Sequence, residues 1–176
     1  MSYKEKLLQF NSTEKYKSEY KFLKGLLGSK PKTILDYGCG LGSNVMKLNA
    51  YTEHQVMGYD VNEWDNNFYY INQLGQYDTI YFMHSIAHIQ YLDPLLRNLK
   101  ANHLNKGGKV IVITPNKDWL EQANNENYKP DTTVIKHFSQ SELIELFKTC
   151  GYSVKMSGQF GELKGNVNER IFLIAQ

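Results

Sequence analysis

Two carboxylates, three alternating glycines and two histidines are the residues of this 176-residue chain whose types and spacing could do chemistry. Ile34-Leu35-Asp36-Tyr37 runs into Gly38-Cys39-Gly40-Leu41-Gly42-Ser43. Glycines directly after an apolar run let the backbone adopt left-handed conformations and approach a ligand closely. A helix opening at about Ser43 would point its unpaired N–H groups at the same space. By itself, such a turn equally describes an ordinary strand-to-helix connection. Asp60 favours the ligand reading, because it stands twenty residues beyond Gly40, where an acid is suited to binding ribose hydroxyls. Asp36 lies inside the apolar run. Its carboxylate needs a bound ammonium group, or the N–H groups of the glycine loop, to offset burial. His84 and His88, in Met83-His84-Ser85-Ile86-Ala87-His88, share one side if that turn is helical. Either suits general-base work near neutral pH; the alternative is that they hydrogen-bond the backbone or face water. His137 precedes a helix cap and reads as fixing that turn. No metal site is expected, since Asp93 is the one acid close in sequence to the histidine pair.

These residues need a scaffold of alternating strands and helices. Tyr16, Tyr20, Leu23 and Leu27 recur at helical spacing. Asn11 with Glu14 resembles the start of that helix, and Gly28 and Pro31 end it. Thr33 to Tyr37 reads as a first strand, Gln55 to Tyr59 as a second, Phe68 to Ile71 as a third and Thr79 to Met83 as a fourth. Asp93-Pro94 opens a helix with an apolar face at Leu95, Leu96 and Leu99. Gly107-Gly108 turns the chain into Lys109 to Thr114, a continuous apolar run of the kind found in buried parallel strands. Ser139 and Glu142 form a capping box for a helix running to Cys150, with Gly151 as its stop. Tyr152 to Ser157 and Arg170 to Ala175 read as two last strands, open to antiparallel pairing. The alternation predicts a doubly wound α/β sheet.

Composition narrows the partners. One domain is expected over 1–176: a helical cap at 1–28, a core at 29–176 and a polar, substrate-side insertion at 116–138 anchored by Trp119 and Tyr128. With 20 basic and 18 acidic side chains the net charge is +2, which gives no field for nucleic acid or an anionic membrane. Met1 to Lys6 is polar, without a signal-peptide core, and no apolar run approaches the ~20 residues of a membrane span. Cys39 and Cys150 have neither metal-type nor disulfide-type spacing. A cytoplasmic protein, monomeric or homodimeric, acting on a small molecule is therefore expected.

The segment Asp36-Tyr37-Gly38-Cys39-Gly40-Leu41-Gly42 resembles the first motif of class I, Rossmann-like, S-adenosylmethionine-dependent methyltransferases. Gly58-Tyr59-Asp60 is similar to their second motif, and Tyr77 to Phe82 to the strand leading to their catalytic loop. Leu104 to Val110 resembles the turn before their fifth strand. His137-Phe138-Ser139, the helix to Cys150 and Gly151-Tyr152 resemble the approach to their terminal hairpin. The resemblance spans Lys30 to Gln176. It implies a seven-stranded, mostly parallel sheet with an antiparallel last strand and helices on both faces. It also implies a cofactor site for S-adenosylmethionine. Tyr37, Gly38, Cys39 and Gly40 would run under the methionine portion. Asp36 would hold that loop or the amino group. Asp60 would bind the ribose, with Val61 beside the adenine. Phe82, Met83 and His84 would lie near the sulfonium or amino-acid end. The sequence departs from the family in having only Val61 to Asn67 between the second and third strands. Asn72 stands where the family has an acid near the adenine, and could replace it as an acceptor.

Methyl transfer from a sulfonium is a direct displacement whose leaving group needs no proton, so alignment and exclusion of water dominate. A hydroxyl or protonated amine acceptor also needs a base, for which His88 is favoured over His84. The expected product is an O- or N-methylated small molecule. The family's Asn/Asp-Pro-Pro-aromatic sequence for DNA bases is absent. Two other readings share these motifs: a nicotinamide-dependent oxidoreductase, whose third glycine would fall at Ser43, and a non-catalytic cofactor-binding subunit.

Overall fold

A helix forms first because its apolar positions recur every three or four residues. In the computed structural model, which describes residues 14–30, 32–62, 70–123 and 131–176, α1 spans Glu14–Leu27. Its buried face carries Tyr16, Leu23 and Leu27, each contributing roughly 1.5–3 kcal/mol by leaving water. Asn11, half of the expected cap, lies outside the described residues. Then follow β1 (Thr33–Tyr37), α2 (Ser43–Tyr51), β2 (Gln55–Tyr59), β3 (Tyr77–Met83), a single 3₁₀ turn (Ile86–His88) and α3 (Leu92–Asn98), extended by a wider turn, Leu99–His103. The chain closes with β4 (Leu104–Pro115), α4 (Lys117–Ala123), α5 (Gln140–Thr149), β5 (Val154–Lys164) and β6 (Val167–Ala175).

The strands lie in the order β2-β1-β3-β4-β6-β5. The first four are parallel, and β6 runs antiparallel to both β4 and β5. Side chains alternate across a strand, and the core divides accordingly. Leu35, Ile80, Phe82, Val110 and Val112 pack with Leu92, Leu96, Leu143 and Phe147. Ile34, Tyr81, Met83, Ile111 and Ile113 pack with Tyr16, Leu23, Val45 and Leu48. Hence α3 and α5 serve one cluster, α1 and α2 the other. The Ser139–Glu142 capping box is present in full, and Gly151 stops α5 at φ +85°.

The sheet of the described residues has six strands, where the resemblance implies seven. Half of the strand expected at Phe68 to Ile71 lies outside the described residues. At its described end a single parallel bridge joins Tyr70 to Gly58. Past it come Asn72, Gln73 and Gly75, exposed and without the apolar alternation that would extend pairing. The terminal hairpin is longer than its sequence suggests. The glycine-rich stretch is part of β5, because at Gly158 the Phe172 ring fills the space of a side chain, 2.7 Å from where a Cβ would sit.

One glycine is fixed by the packing of strand ends. Gly38 has φ +77°, and a Cβ there would lie 2.4 Å from Cβ of Ser85. The Ser85 hydroxyl in turn donates to the Tyr37 carbonyl. Gly38 is thus required by the closeness of the β1 and β3 ends, before any ligand is considered. Gly38→Ala should lower stability by about 1–3 kcal/mol through overpacking, with a further ~1–2 kcal/mol from its left-handed backbone. Adding Ser85→Gly should recover the overpacking part. Thermal melts of the single and double variants test this; equal melting temperatures for the two would refute the clash.

Candidate active site

The glycine loop is held in place by the end of β2. Gly38 and Cys39 both donate their N–H to the Tyr59 carbonyl, at 2.7 and 3.1 Å, and Gly42 N–H closes a turn on the Cys39 carbonyl at 2.9 Å. Gly38, Gly40 and Gly42 are all left-handed, at φ 77°, 53° and 71°, so the loop carries no side chain at three of its five positions. Gly42 precedes α2 without any side-chain cap. Gly40 N–H donates to Oδ2 of Asp60 at 2.9 Å. Oδ1 of Asp60 accepts from the backbone and side chain of Asn62, at 2.9 and 3.4 Å. A carboxylate has about four lone-pair sites; among the described residues Oδ2 uses one, for Gly40.

The remaining cofactor candidates fall into three settings. Asp36 is 2% exposed, and burial pushes its carboxyl up to about 7, with Tyr81 pulling it down and Asp60 pushing it further up. Among the described residues no cation pairs with it. Tyr37 is half-buried and packs against Tyr59 and Phe82, with ring centres 5.0 and 5.3 Å apart. Cys39 is half-buried beside Gly58, and burial raises its thiol far above its ordinary value. Val61 is 82% exposed, an open apolar side chain directly after Asp60. Asn72 is exposed, one residue past the hydrogen bond from Ile71 N–H to the Gly58 carbonyl. Phe82 and Met83 are core residues of opposite clusters. The Met83 sulfur accepts from Asn44 at 3.1 Å, and Asn44 accepts from the Tyr16 hydroxyl.

The structure separates the two histidines. His84 has a left-handed backbone, φ 64°, anchored by its N–H on the Ile113 carbonyl. Its Nε2 lies 2.7 Å from Oε2 of Glu19. His88 ends the 3₁₀ turn, and its Nδ1 lies 2.9 Å from the Thr133 hydroxyl. The segment carrying Thr133 docks on this turn, with Ile135 and Lys136 both donating N–H to the Ala87 carbonyl. A cavity of about 420 Å³ opens alongside, lined by Lys117, Leu120, Glu121, Lys136 and His137. A second, about 340 Å³, is lined by residues including Ser18, Glu19, Phe160, Glu162 and Arg170. Neither includes a residue of the glycine loop. Burial lowers the His137 imidazole, and the charge of His88 lowers it further.

Residues 8–155 match the family described as "Methyltransferase domain". The chain belongs to this methyltransferase family. S-adenosylmethionine-dependent methyl transfer, the activity implied by the resemblance, goes with it and displaces the nicotinamide-dependent reading. Solved structures share the fold at low identity. A SAM-dependent methyltransferase from Archaeoglobus fulgidus has a TM-score of 0.74 at 16% identity, covering 99% of each chain. The PH0226 protein from Pyrococcus horikoshii OT3 has 0.71 at 19% identity, covering 93% of this chain and 92% of that one. The 1,6-didemethyltoxoflavin-N1-methyltransferase from Burkholderia thailandensis has 0.71 at 15%, covering 99% and 83%. No curated protein sequence matches it. Among the described residues no helix is long and apolar enough to cross a membrane, and no three His, Cys, Asp or Glu side chains are grouped to hold a metal ion.

Sequence reasoning about the methyltransferase missed its buried ion network. Glu19, 2% exposed, accepts from Nε of Arg170 at 2.6 Å as well as facing His84. Arg170 also meets Glu169 at 3.2 Å. The signal was present in part: Glu19 is three residues after Tyr16 and four before Leu23, a charge on the apolar stripe of α1. Its partners lie 65 and 151 residues away, beyond any local pattern. Burial alone would raise the Glu19 carboxyl. His84 and Arg170 reverse that and hold it down at about 2. A depressed carboxyl contributes stability that is complete above its unfolded value near 4.5 and fades as pH falls toward 2. Glu19→Gln should destabilise the methyltransferase at pH 7 by about 3 kcal/mol, as expected for breaking a buried pair, and should flatten the loss between pH 4.5 and 3. Urea melts at pH 3, 4.5 and 7 check both; parallel pH profiles for variant and wild type would remove Glu19 from the acid response.

Proposed function

We propose that this enzyme methylates an oxygen or nitrogen atom of a small molecule, with Asp36 and Asp60 holding the donor and His88 serving as base. The observation that carries the donor site is Asp36: a carboxyl buried two residues before the glycine loop, with no cation beside it among the described residues. An unpaired buried carboxylate is costly, and a ligand ammonium group would relieve it. Asp60 supports the same reading through the spare lone pair on Oδ2. The bare glycine backbone gives room for the donor's amino-acid end, and exposed Val61 and Asn72 suit the adenine. When bound, S-adenosylmethionine supplies a methyl group on a positively charged sulfur. Tyr37, packed at a tilt against Tyr59 and Phe82, forms an apolar wall that helps keep water out. Cys39 and Met83 complete the packing around the loop.

The base follows from availability. His84 Nε2 is engaged by Glu19, which favours a role for His84 in fixing the end of β3. His88 has Nδ1 occupied, and Nε2 can take a proton from an acceptor. Cavities of a few hundred Å³ suit small ligands, and the Burkholderia neighbour is a 1,6-didemethyltoxoflavin-N1-methyltransferase.

An ammonium group binds the ionised form of Asp36. With that carboxyl at about 7 in the free protein, S-adenosylhomocysteine affinity should be highest above pH 7. It should weaken below it by up to roughly tenfold per pH unit. Asp36→Asn should bind more weakly at pH 8 and show a flat profile between pH 6 and 8. Calorimetric titration measures this, and equal pH dependence in variant and wild type would exclude Asp36 as the ammonium's partner. Asp60→Ala should cost roughly 1–3 kcal/mol of binding. In radiolabel transfer with a panel of hydroxyl and amine acceptors, His88→Ala should slow transfer by ~10²–10⁴-fold with donor affinity intact. Unchanged turnover would leave alignment alone as the catalytic means.

A further inference from the structure

We propose that Thr133 and Asp131 are positioning residues that lock His88 into the tautomer protonated on Nδ1, leaving the lone pair on Nε2 for the acceptor. The proposal rests on the reading of His88 as base and adds how its proton inventory is set. The Thr133 hydroxyl lies 2.9 Å from His88 Nδ1 and 2.8 Å from Oδ1 of Asp131. It has one proton to give. An ionised carboxylate only accepts, so that proton goes to Asp131, and the hydroxyl oxygen is left to accept from Nδ1–H. A neutral imidazole protonated on Nδ1 carries its lone pair on Nε2.

The relay is built into the backbone on both sides. Thr133 N–H donates to the same Asp131 oxygen at 3.0 Å, and Val134 N–H donates to the Asp131 carbonyl at 3.1 Å. These bonds close a turn that fixes the hydroxyl relative to the carboxylate. Ile135 and Lys136 tie the turn to Ala87, the residue before His88. His88 N–H is itself held on the Ser85 carbonyl at 3.1 Å. Ring and hydroxyl are therefore both positioned from the main chain. When Nε2 takes a proton from the acceptor, the Nδ1–H bond is already made, and the negative charge of Asp131 stands behind it through the hydroxyl.

Long-range proton–nitrogen NMR of the whole chain, at a pH where His88 is neutral, reads the tautomer directly. Comparison with His88→Gln assigns the signal. Nδ1–H should dominate in the wild type and in Thr133→Ser, and should lose that dominance in Thr133→Val. In transfer assays Thr133→Val should lower kcat roughly ten- to a hundredfold, by analogy with metal-bound imidazoles that lose their orienting partner. KM for the donor should not change, and Thr133→Ser should restore the rate. A dominant Nε2–H signal in the wild type, or an unaltered tautomer in Thr133→Val, overturns the relay. The two readings fail separately. An Nδ1–H signal with full turnover in His88→Ala upholds the tautomer lock and removes the base. An Nε2–H signal with an inactive His88→Ala removes the lock and keeps the base.

Discussion

A carboxylate withdrawn from water must meet positive charge or give up its own, and Glu19 is the point at which this chain meets that demand. Desolvation of an ion costs several kcal/mol, recovered only when the geometry is good. Glu19 takes Arg170 on one oxygen and His84 on the other, so one side chain joins the first helix, the last strand and the end of β3. None of these elements can shift without uncovering a charge. The arrangement also decides what the histidine turn can do. It engages His84 and holds it in a left-handed backbone, and the chain then continues through Ser85, against Gly38, to His88.

Much of this was legible in the sequence wherever the signal was local. The edges of β1, α2 and β2 follow from an apolar run, three glycines and a second run, because each element is specified within a dozen residues. The capping box of α5 and the stop at Gly151 are equally local. The seventh strand implied by resemblance was less secure, since the polar residues after Tyr70 offer little to pair. Glu19 with Arg170, and His88 with Thr133, could not be read at all. Each pair forms only when the sheet and the segment carrying Thr133 have folded, and nothing near Thr133 distinguishes it from any exposed threonine.

Gly38 shows how a motif can be found for one reason and required for another. Alternating glycines suggest room for a ligand, yet the missing side chain at 38 makes room for Ser85. That contact sets the distance between the glycine loop and the histidine turn. A glycine of the motif and a constraint of the fold therefore meet at the same position, and the sequence shows the first while the packing shows the second.

The two buried carboxyls of the site edge make opposite contributions. Glu19 is held at about 2 by His84 and Arg170, while Asp36, with no cation beside it among the described residues, is raised by burial to about 7. By linkage, Glu19 adds stability that is present above pH 4.5 and lost in acid. Asp36 acts in reverse: its raised carboxyl makes the ligand-free fold lose stability as pH rises from 3.8 toward 7, and above that the cost stays constant. The chain gives one buried carboxylate two nitrogen partners, Arg170 and His84. Among the described residues Asp36 meets no such partner, so its burial is a cost that the ligand-free fold carries above pH 7 and that Glu19 does not impose.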